Sequence, residues 1–180
     1  EIIKTINKDS VVLENFNDFN LCDLFDVVRG KSKPISEMTL DMGNIPIISS
    51  TGLDNGVTGY TSFPANFNLN NNEVCLTLAI DGSIGSCFYQ NEPFIATGHV
   101  AVLKPKFTLN KYIAVYIGTL LKKEGKLKYS FGRAWDLDLL KKTQLKLPSK
   151  DGEIDWKSIE NYIKNIENKY KINEISINDK

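Results

Sequence analysis

The chain has 180 residues, 42% hydrophobic and 24% charged: enough apolar material for one buried core with an appendage, and too well mixed for disorder. It contains no apolar run long enough to span a membrane, and its first stretch mixes charges with isolated aliphatics, unlike a secretory signal. Net charge is zero, yet residues 104–150 carry twelve Lys and Arg against three acids, a net of +9 that is the footprint of a polyanion binder; solvated helix faces in a Lys-rich composition are the competing reading.

Residues 1–19 read as a lead-in or linker with Asn-rich ends, and the opening residue is Glu1, not Met, so a piece of something longer is expected. Leu21 to Gly30 is apolar enough for a short buried element, broken by Lys31-Ser32-Lys33-Pro34. Ser36 can cap a short helical turn at Glu37-Met38-Thr39. Ile45 to Thr51 is β-branched and strand-like, and it runs into Gly52 to Tyr60, where Asn55-Gly56 marks a tight turn. Val74 to Ile80 is a second strand, turned by Asp81-Gly82 and answered by Ile84 to Tyr89 as a hairpin. Phe94 to Leu103 reads as a further strand that contains His99.

From Leu109 to Lys123 the period becomes helical, with Leu109, Tyr112, Ile113, Tyr116, Ile117, Leu120 and Leu121 on one face. Leu137 to Leu147 predicts a short helix and a strand ending at Pro148. Asp151-Gly152 then breaks the chain, and Asp155 caps a helix from Trp156. Trp156, Ile159, Ile163, Ile166 and Tyr170 are spaced as a heptad seam, narrower than a globular core face. Such a seam calls for a partner helix; packing back onto its own domain is the alternative, and Tyr162 would widen the face for that.

The three cysteines, Cys22, Cys75 and Cys87, are odd in number and lack a CxxC spacing, and His99 is the one histidine. No disulfide scaffold and no zinc site are expected, and a reducing cytoplasm suits the chain. Gly82-Ser83-Ile84-Gly85 misses a nucleophile elbow by one residue and sits in a hairpin. There is no phosphate-binding glycine loop, no Asn/Asp-Pro-Pro-Tyr/Phe tetrad and no tight carboxylate pair, so no catalytic residue, metal or cofactor is expected. Short donors and acceptors crowd the loops instead: Ser49, Ser50, Thr51 and Asn55 suit base edges and phosphates. The run Lys126 to Trp135 interleaves base, aromatic and glycine, and Arg133 beside Gly132 can present a guanidinium fork to guanine. The candidate DNA contacts are Lys31, Lys33, Ser49, Ser50, Thr51, Asn55, Tyr60, Lys126, Lys128, Ser130 and Arg133.

The order of these pieces resembles the target-recognition domain of type I restriction–modification specificity subunits and of related type IIG and IIB restriction enzymes. The similar stretches are Val28 to Pro34, Gly43 to Ser50, Leu78 to Gly85, Ala96 to Leu103, Tyr112 to Leu121 and Leu139 to Pro148, and the likeness covers Asn20 to Tyr170. The tail from Asp151 to Trp156 is similar to that of the type II relatives; the Glu-Gln pair of the commoner type I tail is absent. The resemblance implies an α/β (α+β) recognition domain with a mixed, mostly antiparallel twisted sheet and flanking helices, followed by a long coiled-coil-like helix.

The expected organisation is a lead-in over 1–19, a DNA target-recognition domain over 20–150 and a dimerisation or docking helix over 151–180. The expected function is sequence-specific recognition of double-stranded DNA in the cytoplasm. The implied partners are a methyltransferase (modification) subunit, which would bind S-adenosylmethionine, a restriction subunit, and a second recognition domain or a second copy; no membrane is involved. Two rival readings are a half-specificity interaction protein that regulates such a system, and a small hydrolase using His99 with a nearby Ser or Cys.

Overall fold

A computed structural model of the chain describes residues 12–32, 35–37, 40–41, 43–62, 69–70, 74–129 and 133–178, with backbone alone at 35, 69–70 and 171–178. The chain divides into two compact units, residues 19–145 and residues 1–18 with 146–180.

In the first unit the apolar stretch after Asn20 makes two short elements: helix α1 (Leu21–Leu24) turns directly into strand β2 (Phe25–Arg29). Leu21 and Phe25 are buried, and the Phe25 ring meets Phe107 edge-on at 5.3 Å between centroids. Strand β2 edges an antiparallel sheet of order β2-β9-β6-β7, with β6 (Cys75–Ala79), β7 (Cys87–Gln90) and β9 (Val100–Pro105). Thr77 pairs with Phe88 on one side and Val102 on the other. All five residues of β6 are buried, as befits a mostly apolar central strand covered on both faces.

A second sheet has the order β4-β3-β8-β5, from β3 (Ile45–Ile48), β4 (Val57–Thr61), β5 (Leu69–Asn70) and β8 (Phe94–Ala96). Its β3–β8 pair is parallel, Ile47 opposite Ile95, and its other pairs are antiparallel. The mixed, mostly antiparallel arrangement is the expected fold class. Ile48, Cys75, Phe94, Ala96, Val100 and Val102 form one buried apolar cluster.

Helix α2 (Lys111–Lys128) begins at Asn110, whose Oδ1 accepts from the N–H groups of Tyr112 and Ile113 at 3.0 Å each. It outlasts the expected Lys123 by more than a turn. Its buried stripe is Ile113, Ala114, Ile117, Gly118, Leu121 and Gly125, and it lies on β7. Gly125 joins the stripe because the helix comes too close to Gly85 and Trp135 there for a larger side chain, whereas Gly118 faces Cys87 at ordinary contact distance. Helix α3 (Leu137–Lys141) is capped by Asp136, whose Oδ1 accepts from the Leu139 N–H at 2.9 Å.

The structure corrects three expectations. Phe94 to Leu103 is not one strand: β8 and β9 belong to different sheets, separated by a turn at Gly98-His99. The Thr97 N–H donates to the Ile48 carbonyl, and the Val100 N–H returns to the Thr97 carbonyl, so the chain reverses where a strand was read. His99 therefore lies in a turn, with Nδ1 3.2 Å from Asp81 Oδ2. The turn after Pro34 is a 3-10 turn at Ile35–Glu37, ahead of the expected place, and Met38 and Thr39 lie outside the described residues. The strand expected to stop at Pro148 continues as β10 (Gln144–Lys150). Proline lacks only a donor, and the Pro148 carbonyl still accepts from the Asp155 N–H at 2.9 Å.

In the other unit, β10 takes part in a sheet of order β1-β10-β11, with β1 (Phe16–Asn20) and β11 (Glu153–Ile154). The end of the expected lead-in thus forms strand β1. The Ser149 N–H and Oγ both donate to the Asn15 carbonyl. Helix α4 (Trp156–Asn178) starts at Asp155, which accepts from the Ser158 N–H at 2.9 Å and Oγ at 2.7 Å. These two bonds hold the Asp155 carboxyl below the usual carboxylate range.

Candidate nucleic-acid interface

The site grows from the hairpin between β6 and β7. Asp81 and Gly82 open the turn, Asp81 Oδ1 accepting from the Gly82 N–H at 2.7 Å. Gly82 and Gly85 take φ of +62° and +84°, which side chains rarely tolerate. The Gly85 N–H donates to Ala79 and the Ser86 N–H to Ser83, so the tip is closed on itself. The Ser83 N–H also reaches the Ser50 carbonyl at 3.0 Å, which fastens the polar loop after β3 to the hairpin. A Cβ on Gly52 would meet Ser86 Oγ at 3.1 Å and Ser83 Oγ at 3.5 Å, so both hydroxyls crowd the loop backbone.

The far side of the hairpin rests on the C-terminal end of α2, through Gly85 and Gly125. Trp135 is fully buried, and its backbone N–H donates to the Ile80 carbonyl at 3.0 Å. Tyr129 stacks on Trp135 at 4.9 Å and 14°, and the Arg133 guanidinium lies 5.8 Å from the Tyr129 ring centroid. Between loop, hairpin and helix opens a cleft of about 470 Å³, lined by Gly52, Gly82, Ser83, Ile84, Ser86, Lys122, Lys126 and Tyr129. Its walls offer hydroxyls, ammonium groups and one aromatic ring: donors for phosphate oxygens and a face for stacking.

Of the candidates, Lys126 lines this cleft, Ser50 is bonded to its hairpin and Arg133 packs on its Tyr129. Ser49 closes the turn, its N–H donating to Gly56, and Thr51 Oγ1 accepts from the Leu53 N–H. Asn55 takes a left-handed φ of 55°, as the turn signal predicts. Its amide donates to Gln90 Oε1 at 3.2 Å and faces the Tyr89 carbonyl at 3.4 Å, so it pins the turn to β7. Tyr60, on β4, and Asn55 do not line the cleft. Lys128 pairs with Glu124 one turn back, which raises its pKa. Lys31 is exposed beside Ser32, whose Oγ donates to the Ala96 carbonyl at 2.5 Å, on the neighbouring turn. Lys33 and Ser130 lie outside the described residues.

Sequence reasoning left Ser83, Ser86 and Gly52 out of the site and held Lys122 only as one of the phosphate-holding basic residues of 104–150. The signal was present in Gly82-Ser83-Ile84-Gly85, weighed there only as a nucleophile elbow. Along the heptad seam, Ile159 is fully buried, Trp156, Ile163 and Ile166 are half-buried, and Tyr170 is 68% exposed.

No group of three or more His, Cys, Asp or Glu is arranged to hold a metal among the described residues. Burial, with Cys75 close by, pushes the Cys87 thiol up to about 12, the reverse of what a nucleophile or metal ligand needs. Among the described residues no helix is long and apolar enough to cross a membrane.

The sequence profile of the type I restriction modification DNA specificity domain matches residues 13–176. The chain is 27% identical over 157 residues to the type II restriction enzyme specificity subunit S.BcgI of Heyndrickxia coagulans, covering 86% of this chain and 44% of that protein. It shares its fold with the S subunit of a type I restriction–modification system from M. genitalium: TM-score 0.58, 18% identity, 84% of this chain and 38% of that one. A chain from a structure of type I R–M complex assembly and conformational transition gives a TM-score of 0.64 at 15% identity, over 97% of this chain and 44% of that one. The chain thus spans less than half the length of these relatives.

Proposed function

The chain belongs to the type I restriction modification DNA specificity domain family, and from that premise we propose that it reads a short duplex sequence and delivers partner enzymes to it. The family is one of recognition components, with catalysis carried elsewhere in the system. The observation that carries the reading is the joining of a polar loop, a hairpin tip and the basic end of α2 around one cleft, with Arg133 on the Tyr129 ring beside it. Lysines would set register on phosphates, and Arg133 with the loop hydroxyls would read base edges.

In this reading residues 20–150 form the recognition domain and residues 151–180 the docking helix. The partners are double-stranded DNA, a methyltransferase subunit that carries S-adenosylmethionine, and a restriction subunit, all in the cytoplasm. A second recognition domain, or a second copy, meets the exposed end of the α4 seam at Tyr170. The test is selection from a pool of randomised duplexes by the chain together with its modification subunit. Enrichment of one defined sequence is expected; a pool that emerges unchanged rejects the reading.

A further inference from the structure

Lys122 and Lys126 stand one turn apart on α2, so their ammonium groups share a face, and both line the cleft. Both are exposed, and neither has an ion-pair partner among the described residues, whereas Lys128 beside them is neutralised by Glu124. Like charges at this spacing repel, and the C-terminal end of a helix favours cations only over its last turn, which Lys122 precedes. The opposite wall supplies Ser83 and Ser86, whose hydroxyls have no hydrogen-bond partner among the described residues. Their backbone N–H groups are already used, by Ser50 and Ser83 in turn, so only side chains remain to meet a ligand. The packing of Gly85 against the backbone of Lys122 and Gly125 fixes the hairpin wall directly against the helix wall.

We propose that this cleft is a clamp for a single phosphodiester group, with Lys122 and Lys126 neutralising its charge and Ser83 and Ser86 donating to its oxygens. The proposal takes the source of that phosphate, the DNA backbone, from the function proposed above. The clamp separates labour inside the site: it sets register without regard to sequence, while Arg133 discriminates.

The test compares the wild type with Lys122→Gln/Lys126→Gln, using random-sequence duplex over a range of salt concentrations. Lys123→Gln, on the same helix but off the cleft, is the control, and urea unfolding verifies that each variant folds. One neutralised phosphate contributes a slope of about 0.9 in log affinity against log salt. The double variant should lose about that much slope while enriching the same sequence from a randomised pool; the control should lose less. An unchanged slope, or a changed sequence preference, overturns the clamp. If the wild type binds no duplex, inorganic phosphate is titrated while the Ser83 and Ser86 amide resonances are followed. A shift seen in the wild type and lost in the double variant keeps the clamp and rejects DNA as its source. No shift rejects the clamp as well.

Discussion

Gly85 and Gly125 meet backbone to backbone: a Cβ on Gly125 would stand 2.7 Å from the Gly85 Cα and 3.1 Å from Trp135 Cζ3. This contact brings the β6–β7 hairpin onto α2 and so sets one dimension of the cleft. In an open helix, Gly→Ala gains roughly 1 kcal/mol of propensity. Here the methyl has no room, so Gly125→Ala should instead destabilise by about 1–3 kcal/mol, the usual cost of overpacking. Gly118→Ala is the internal contrast, because its Cβ would meet Cys87 at an ordinary 3.6 Å. That variant should be neutral or more stable. Urea unfolding of the two variants checks the opposite signs.

Arg133 is held near the Tyr129 ring, itself stacked on buried Trp135. Arg133→Ala should cost on the order of 1–3 kcal/mol of binding to the preferred sequence and relax discrimination at one or two positions. Arg133→Lys should rescue little of it, since an ammonium cannot make a bidentate contact. Competition titrations against single-position variants of the selected duplex measure both effects.

Much of this site could be read along the chain, because its parts announce themselves locally. Asn55-Gly56 is a turn by its own backbone preference, and Asn55 does take φ of 55°. The β6 run is apolar at four of its five positions because both faces are covered, and the fifth, buried Thr77, accepts from Gln90 Nε2. What escaped reading depended on partners distant in sequence. Nothing local divides Phe94 to Leu103; the split comes from Thr97 bonding to Ile48, some fifty residues away. Ser83 and Ser86 gain meaning only when Gly85 packs on Gly125, which places Lys122 across from them. Two glycines forty residues apart give no periodic signal.

Asp155 supports a pH prediction. Ser158 holds its carboxyl below the ordinary 3.8 through a side-chain and a backbone hydrogen bond. A depressed folded-state value means that the contribution to stability is fully present above about pH 4 and is lost as pH falls through the folded value. Asp155→Ala should remove the cap of α4, costing about 0.5–2 kcal/mol at neutral pH, and should make little difference in strong acid. Unfolding free energies of both proteins, measured from pH 7 downward, should converge.

The α4 seam should divide in two. Ile159 is fully buried, so Ile159→Ala should cost about 2–5 kcal/mol of folding stability. Tyr170 is 68% exposed, so Tyr170→Asp should leave unfolding unchanged and weaken self-association or pairing with a partner helix. Light scattering and unfolding on the same samples separate these outcomes.

The most direct test of sequence recognition by this cleft is selection from randomised duplexes by the chain with its modification subunit, run at two salt concentrations with wild type and Arg133→Ala. The account predicts one enriched sequence for the wild type, weaker binding at higher salt, and looser enrichment for the variant. An unenriched pool, or identical sequences enriched equally by both proteins, would contradict it.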